Sequence, residues 1–325
     1  MPSWNLSRRA FSQQYTARLL ELQSEAPEVI KKQHVVSQAL LKRFAGQDIN
    51  GGPILVPFDL EHGRELKQKG TAGCAWIPNF ISYASKSAEE LWQTVETKLG
   101  GAIDMIEQGR LDLNTTKTIT DAMALHLTRS VRYKEIHENI ATRVPGKIRN
   151  RVLREHYRSL QALYTRQNGR PPEGPQDLIN LADELVQELS IGVLDGSDLR
   201  VRIEETFEIA KGILKGQALE IWTTPPGSEL LISDAPAITM QYSPDRSRVR
   251  VDVPIGDSHA VAMPLSRTTL ACIGRRKRKA TFTPEAVDFF NRTQIQKATR
   301  FVYYHPDRHL KNFVSATQST RNPAN

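Results

Sequence analysis

The chain has 325 residues, 39% hydrophobic and 25% charged, an ordinary globular composition and long enough for one large domain or two smaller ones. It contains no apolar run near the roughly 20 residues of a membrane span and no signal-peptide core, and its two cysteines, Cys74 and Cys272, lie too far apart for a local clip. A reducing, cytoplasmic setting without a membrane span is therefore expected, and the formal charge of +8 favours polyanionic partners such as nucleic acid, nucleotides or another anionic small molecule.

Phe11, Tyr15, Leu19 and Leu22 recur at helical spacing and predict an amphipathic helix over 6–24, within an N-terminal helical extension of residues 1–30. "QHVVSQALLKRFA" passes from an extended piece into a helix with Ser37 at its N-cap. Asn50-Gly51-Gly52 then makes a turn ahead of the alternating Ile54, Val56 and Phe58. From Ala88 onward Leu91, Val95, Leu99, Ile103 and Ile106 form one stripe, which Gly100-Gly101 should weaken or bend. A second helix is expected after an Asn114 cap, and a third from about Lys147 to Arg166.

"RQNGRPPEGPQD", 166–177, is a Pro/Gly-rich surface loop or hinge, followed by helical patterns near 177–190 and 198–215. Short β-rich runs come next: "ALEIWTT", "ELLISD", "AITMQY", "RVRVDVPI", "AVAMPLS" and "TLACIG". A last helix opens with Thr283 as cap and Pro284 at its first position, and "ATRFVYYH" supplies a closing strand. The expected class is α+β, a helical middle region packed with a mainly antiparallel sheet contributed largely by the C-terminal third. Strand residues near Ile54 are expected to join that sheet. One integrated domain over 31–315, with a disordered tail at 316–325, follows from this reading.

His34 is a candidate general base, metal ligand or proton donor, because imidazole titrates near working pH; the alternative is a helix-entry histidine bonded to backbone. The string around it is similar to the opening of ββα-metal nucleases, but the downstream His62 and Asn79 fall on no helical pattern. Gln38, one turn on, is placed to orient a substrate or to face solvent. Asp234 ends an apolar strand just before Pro236, where a carboxylate can face a cleft or simply close a turn. Arg129, near an apolar stripe, needs an anionic partner, either a substrate phosphate or Glu96, and the neighbouring His126 reads as a core histidine.

Lys147, Arg151, Arg154 and Arg158 fall at spacings of four, three and four and predict one basic stripe, while Arg275, Arg276 and Lys277 open a second basic cluster. Either can meet a phosphate backbone or remain a solvated surface, and the lack of interleaved aromatics argues against a dedicated single-strand binder. The sequence has no phosphate loop, dinucleotide fingerprint, HExxH or GxSxG, which disfavours the nucleotide hydrolases, dehydrogenases, zinc proteases and serine esterases that carry those motifs.

The ordered set of His34, Gln38, Leu41 and Phe44, then "NFISYASKSAEELWQTVETKL", "ALHLTRSVRYKEI", "LLISDAPAITM", "AMPLSRTTLACIG" and "DFFNRTQIQKATRFVYY" resembles a bacterial family known as Domain of Unknown Function 4238. The likeness runs from about 31 to 305, with Ser37 standing where the family tends to have proline. It implies that His34, Glu96, Arg129, Ser233, Asp234, Ser266 and Asn291 are site residues, without implying a reaction. Three readings follow. The first is a nuclease-like or phosphodiesterase-like hydrolase with His34 as base or ligand, Asp234 as its orienter and Arg129 holding phosphate, a divalent metal being an option. The second is a binding or sensor module for nucleic acid or a small anion, in defence or stress response. The third is that these residues only lock helices onto the sheet.

Overall fold

The computed structural model describes residues 17, 18, 21, 30–81, 85–188, 196–245, 248–274, 278–307 and 310–321. Of the helix expected over 6–24, residues 17, 18 and 21 are described and are helical; its remainder, like Arg275, Arg276 and Lys277, lies outside the described residues. The fold is α+β, with helices and three mainly antiparallel sheets. Among the described residues no helix is long and apolar enough to cross a membrane.

The sequence reads as one domain over 31–315; the chain instead divides into two compact units, the smaller comprising 1–29, 81–85 and 134–202, the larger 30–80, 86–133 and 203–325. In chain order the larger unit begins with β1 (Lys32–His34), the single-turn α1 (Gln38–Leu41), β2 (Gly46–Gln47), β3 (Pro53–Asp59), β4 (Arg64–Glu65), β5 (Lys69–Gly70) and β6 (Trp76–Pro78). The long helices α2 (Ser85–Glu107) and α3 (Leu113–Thr128) follow. The Gly100-Gly101 pair does not break α2, because the Gly100 carbonyl is held by the Arg43 guanidinium at 2.9 Å. The cap of α3 is Asp112 rather than Asn114: the Asp112 carboxylate accepts the Thr115 N–H at 2.6 Å and satisfies one of the orphan donors of the first turn.

α4 (Val131–Glu155) and α5 (Tyr157–Asn168) replace the single helix expected from Lys147 to Arg166. Helical geometry fails at His156, whose φ of −123° and ψ of 26° lie outside the α region. Lys147, Arg151 and Arg154 therefore sit on α4 and Arg158 on α5, so the expected single-helix stripe does not form. Arg151 and Arg154 are further offset by Glu155, at 2.8 and 3.3 Å.

Gly169, in the left-handed region at φ 69°, terminates α5, and α6 starts at Pro175, so the expected loop shrinks to 169–174. In the smaller unit Leu160 of α5 packs with Leu178, Leu181 and Ala182 of α6 (Pro175–Glu188).

After α7 (Ser197–Leu214) come β7 (Ala218–Thr223), β8 (Ile232–Ser233), β9 (Ile238–Tyr242), β10 (Val249–Val251), β11 (Ala260–Pro264), β12 (Thr269–Gly274) and β13 (Arg278–Thr281). The chain closes with α8 (Pro284–Lys297), β14 (Phe301–Tyr304) and α9 (Leu310–Gln318), so helix extends beyond the expected start of the tail at 316. One sheet has the order β10-β9-β11-β12-β7-β13, with only the β7–β13 pair parallel.

The strand containing Ile54 does pair with C-terminal strands, but in a second sheet, β2-β3-β14-β8. There Val302 of β14 faces Phe58 on one side and Ser233 on the other. Val56, Phe58, Leu231, Ile295, Val302, Tyr304 and Val314 form its core against α8 and α9. The third sheet is the ribbon β1-β6, in which His34 lies opposite Trp76.

Candidate functional site

His34 closes β1, and the chain turns at once into α1, which leaves the imidazole at the end of the ribbon rather than inside a ladder. Directly paired residues of an antiparallel ribbon project to one face, so His34 and Trp76 share a side. Lys32, two residues earlier, shares it too, and its ammonium lies 5.0 Å from the Trp76 ring centroid.

α2 contributes Glu89, Trp92 and Glu96, spaced three and four residues apart and hence on one helical face. The end of α3 supplies His126 and Arg129. The Arg129 side chain is fully buried, ion-pairs through one Nη with Glu96, and stacks its guanidinium 4.8 Å from the Trp92 centroid. Glu96 keeps 25% of its side-chain exposure, and His34 and Glu89 are half-buried, so the group of charges reaches solvent.

Several polar atoms in this group have no hydrogen-bond partner among the described residues. They are His34 Nε2, Ser37 Oγ, Glu89 Oε1, and Arg129 Nε and Nη1. Buried polar groups are nearly always satisfied, and each one left unmade costs on the order of 1–3 kcal/mol, more for a charged group. Four residues of this group carry such atoms.

The electrostatics agree with this. Burial pulls the His34 imidazole below its ordinary value, assisted by the positive Arg129 and Lys32; the Ala72 backbone and Glu96 oppose the shift. Burial pushes the Glu89 carboxyl up to about 6, aided by Glu96 and resisted by Arg129. His126 is driven by burial and by Arg129 down to about 4, and is neutral. Its Nε2 accepts the Ser37 N–H at 3.2 Å, which assigns its proton to Nδ1, 2.8 Å from the Ala122 carbonyl. His126 is thus a satisfied core histidine that positions the turn carrying Ser37, as the sequence reading expected.

Glu89 yields a pH prediction. A carboxyl whose folded value lies above its usual 4.5 stabilises the fold below pH 4.5 and loses that contribution as pH rises through about 6. Against Glu89→Gln, the native protein should lose about 1–2 kcal/mol across this window, discounted for partial exposure. Thermal melts of the two proteins as a function of pH read the difference, and parallel curves would remove the assignment.

The remaining expected residues are elsewhere or are already occupied. Gln38 donates to the Thr71 carbonyl at 2.8 Å and braces the turn whose Ala72 backbone meets His34. Asp234 does not orient His34: Oδ1 accepts the Thr299 N–H and Oδ2 those of Arg300 and Phe301, each at 2.8 Å. Burial still raises its carboxyl above the usual value, with the three N–H groups acting in the opposite direction.

Ser233 gives its hydroxyl proton to Gln294 Oε1 at 2.5 Å. Asn291 holds the Leu231 N–H at 3.0 Å and the Glu229 carbonyl at 2.8 Å. With Gln294 these residues sew α8 to the segment around β8, the locking role that the sequence left open. Ser266 accepts the Thr268 N–H at 3.4 Å within the β11–β12 turn. The sequence reading passed over Glu89, although its separation from Glu96 by two helical turns was a legible signal.

Among the described residues Asp59, Glu61 and His62 are the group whose ligand atoms gather within 4.8 Å, whereas His34, Glu89 and Glu96 do not gather so. Arg300 already occupies Asp59 Oδ2 at 2.9 Å, and His62 meets the same oxygen at 3.1 Å, so this cluster pins a hairpin to β14.

Trp76, opposite His34 in the ribbon, also lines a cavity of about 380 Å³, walled further by Pro78, Val131, Asp234, Phe301 and Tyr303 among others. Cys74 also lines it; the thiol is free, buried and raised to about 11.

No curated protein and no solved structure matches the chain. A family described as "Protein of unknown function (DUF4238)" matches residues 32–308. That span contains β1 through β14 and every residue of the site just described, and the chain belongs to the DUF4238 family.

Proposed function

We propose that this protein is a phosphodiesterase-like or nuclease-like hydrolase, with its centre at His34, Glu89 and Arg129. The observation that supports the reading is the Arg129 guanidinium, wholly buried yet with Nε and Nη1 unpartnered, beside an equally unpartnered His34 Nε2. A planar fork of N–H donors suits two phosphate oxygens. Glu96 fixes the guanidinium from the other side and keeps the pair from carrying excess charge before ligand arrives.

In this reading Arg129 holds the non-bridging oxygens and neutral His34 takes a proton from the attacking water. The new P–O bond forms as the P–O bond to the leaving group breaks, and protonated Glu89 gives that alkoxide its proton. The products are a phosphate and an alcohol. Burial lowers the imidazole and raises the carboxyl, which favours a neutral base beside a protonated acid on the acid side of neutrality.

The reaction requires His34 without its proton and Glu89 with one. His34 lies below 6.5 and Glu89 near 6, so turnover should peak on the acid side of neutrality and fall on both sides. His34→Ala should lower turnover about 10²–10⁴-fold, the usual worth of a positioned base. The assay incubates purified protein with DNA, RNA and nucleotides, with and without Mg²⁺ or Mn²⁺. Cleavage that His34→Ala leaves untouched would end the proposal. Ligands bound but left intact would convert it to a binding module that uses the same Arg129 site.

A further inference from the structure

The cavity lined by Trp76 is not explained by phosphate chemistry, since none of His34, Glu89, Glu96 and Arg129 is among its lining residues. Its wall includes the aromatic residues Trp76, Phe301 and Tyr303 and the apolar Pro78 and Val131, together with the polar Lys69, Asp234, Thr299 and Arg300. Trp76 belongs to both places, since it lies directly across the β1–β6 ribbon from His34 and also lines the cavity. Val131, on the same wall, is two residues beyond Arg129.

The chamber is held open by backbone that few residues tolerate. Ala75 and Asn79, which bracket β6, have φ of 50° and 51°. Ala75 is pinned on both sides: its N–H donates to the Tyr303 hydroxyl at 2.9 Å, and its carbonyl accepts the Val35 N–H at 2.8 Å. Left-handed non-glycine residues persist where surrounding structure over-determines them, often at ligand sites.

We propose that the cavity receives the planar aromatic base of a nucleoside phosphate, stacked at Trp76, while the phosphate lies at Arg129 and His34. The inference rests on the hydrolase reading for the position of the phosphate, but the aromatic chamber stands on its own lining. Its volume falls within the about 300–1,000 Å³ usual for small-molecule pockets. A single base fits such a chamber and a duplex does not, so the substrate is a mononucleotide or one unstacked base of a single strand. Stacking tolerates any base, because each presents a π-face.

The test separates base from phosphate. Purine and pyrimidine nucleosides, nucleoside monophosphates, an aryl phosphate and glycerol phosphate are titrated by calorimetry, and the phosphate esters are assayed for cleavage in parallel. Nucleosides alone should bind, and Trp76→Ala should weaken them about tenfold or more. Val131→Phe, which fills the chamber while retaining every aromatic, should do the same, with thermal melts checking that each variant folds. His34→Ala should leave nucleoside binding in place.

An aryl phosphate bound as well as a nucleotide would restrict the claim to aromatic rings in general and overturn the nucleoside assignment. Glycerol phosphate bound and cleaved as well as nucleotides, indifferent to Trp76→Ala and Val131→Phe, would overturn the chamber proposal and leave the hydrolase reading intact. Nucleosides held through Trp76 with no ester cleaved would do the reverse.

Discussion

Arg129→Met should weaken anion binding about 10²–10³-fold without lowering stability. The wild-type side chain is fully buried, with two donor nitrogens unpartnered among the described residues, and it ion-pairs with a glutamate that is 25% exposed. Methionine removes the unmatched donors, and its thioether can replace the guanidinium against Trp92, now 4.8 Å away. Glu96, relieved of its partner, can rehydrate where it already meets solvent.

The melting temperature is therefore expected to hold, because Glu96, 25% exposed, is not left as a fully buried unpaired charge. Phosphate-ester binding should weaken about 10²–10³-fold, since charge-assisted hydrogen bonds are each worth about 1.5–3 kcal/mol. Calorimetric titration and a thermal melt on the same preparation decide the matter. A loss of 3–5 kcal/mol in stability, the roughly expected cost of breaking a structural buried pair, would mean that Arg129 is only a brace.

Asp234→Ala should behave in the opposite way, destabilising the fold severely whatever becomes of activity. Its two oxygens take three backbone N–H groups at the start of β14, the strand that joins β3 to β8. Alanine would strand all three donors, at about 3–5 kcal/mol in sum.

Asparagine is the informative control. Its single oxygen can serve Arg300 and Phe301, but its amide nitrogen would then face the Thr299 N–H, donor against donor. Asp234→Asn should cost about 1–2 kcal/mol. Chemical denaturation of the three proteins gives the series directly. Equal stability of Asp234→Ala and wild type would mean that the carboxylate is not the anchor described here.

The contrast between Arg129 and Asp234 also marks where sequence reasoning ran out. Both are ionisable residues at the ends of apolar elements, and both invited a chemical role from residue type and position. What separates them is the number of their polar atoms that are satisfied. That number depends on residues 33 positions away for Arg129 and more than 60 away for Asp234, distances no local pattern spans. Glu89 was missed for a related reason: a glutamate in the first turns of an amphipathic helix is usually solvated, and only its burial in the folded chain, aided by Glu96, raises its carboxyl.

By itself the sequence determined the α+β class, most helices, the Thr283–Pro284 helix start and the β-rich final third, while it left the partner of Arg129 open between Glu96 and a substrate phosphate. These follow from periodicity, capping and turn chemistry, which act over a few residues. It could not determine that α2 runs through Gly100-Gly101, that the helix expected from Lys147 breaks at His156, or that Asp234 serves β14 rather than His34. The first and last of these were decided by tertiary partners: Arg43 on the Gly100 carbonyl, and three N–H groups on one carboxylate. A hydrogen bond from a distant segment is worth as much as a local one, and sequence spacing carries no record of it.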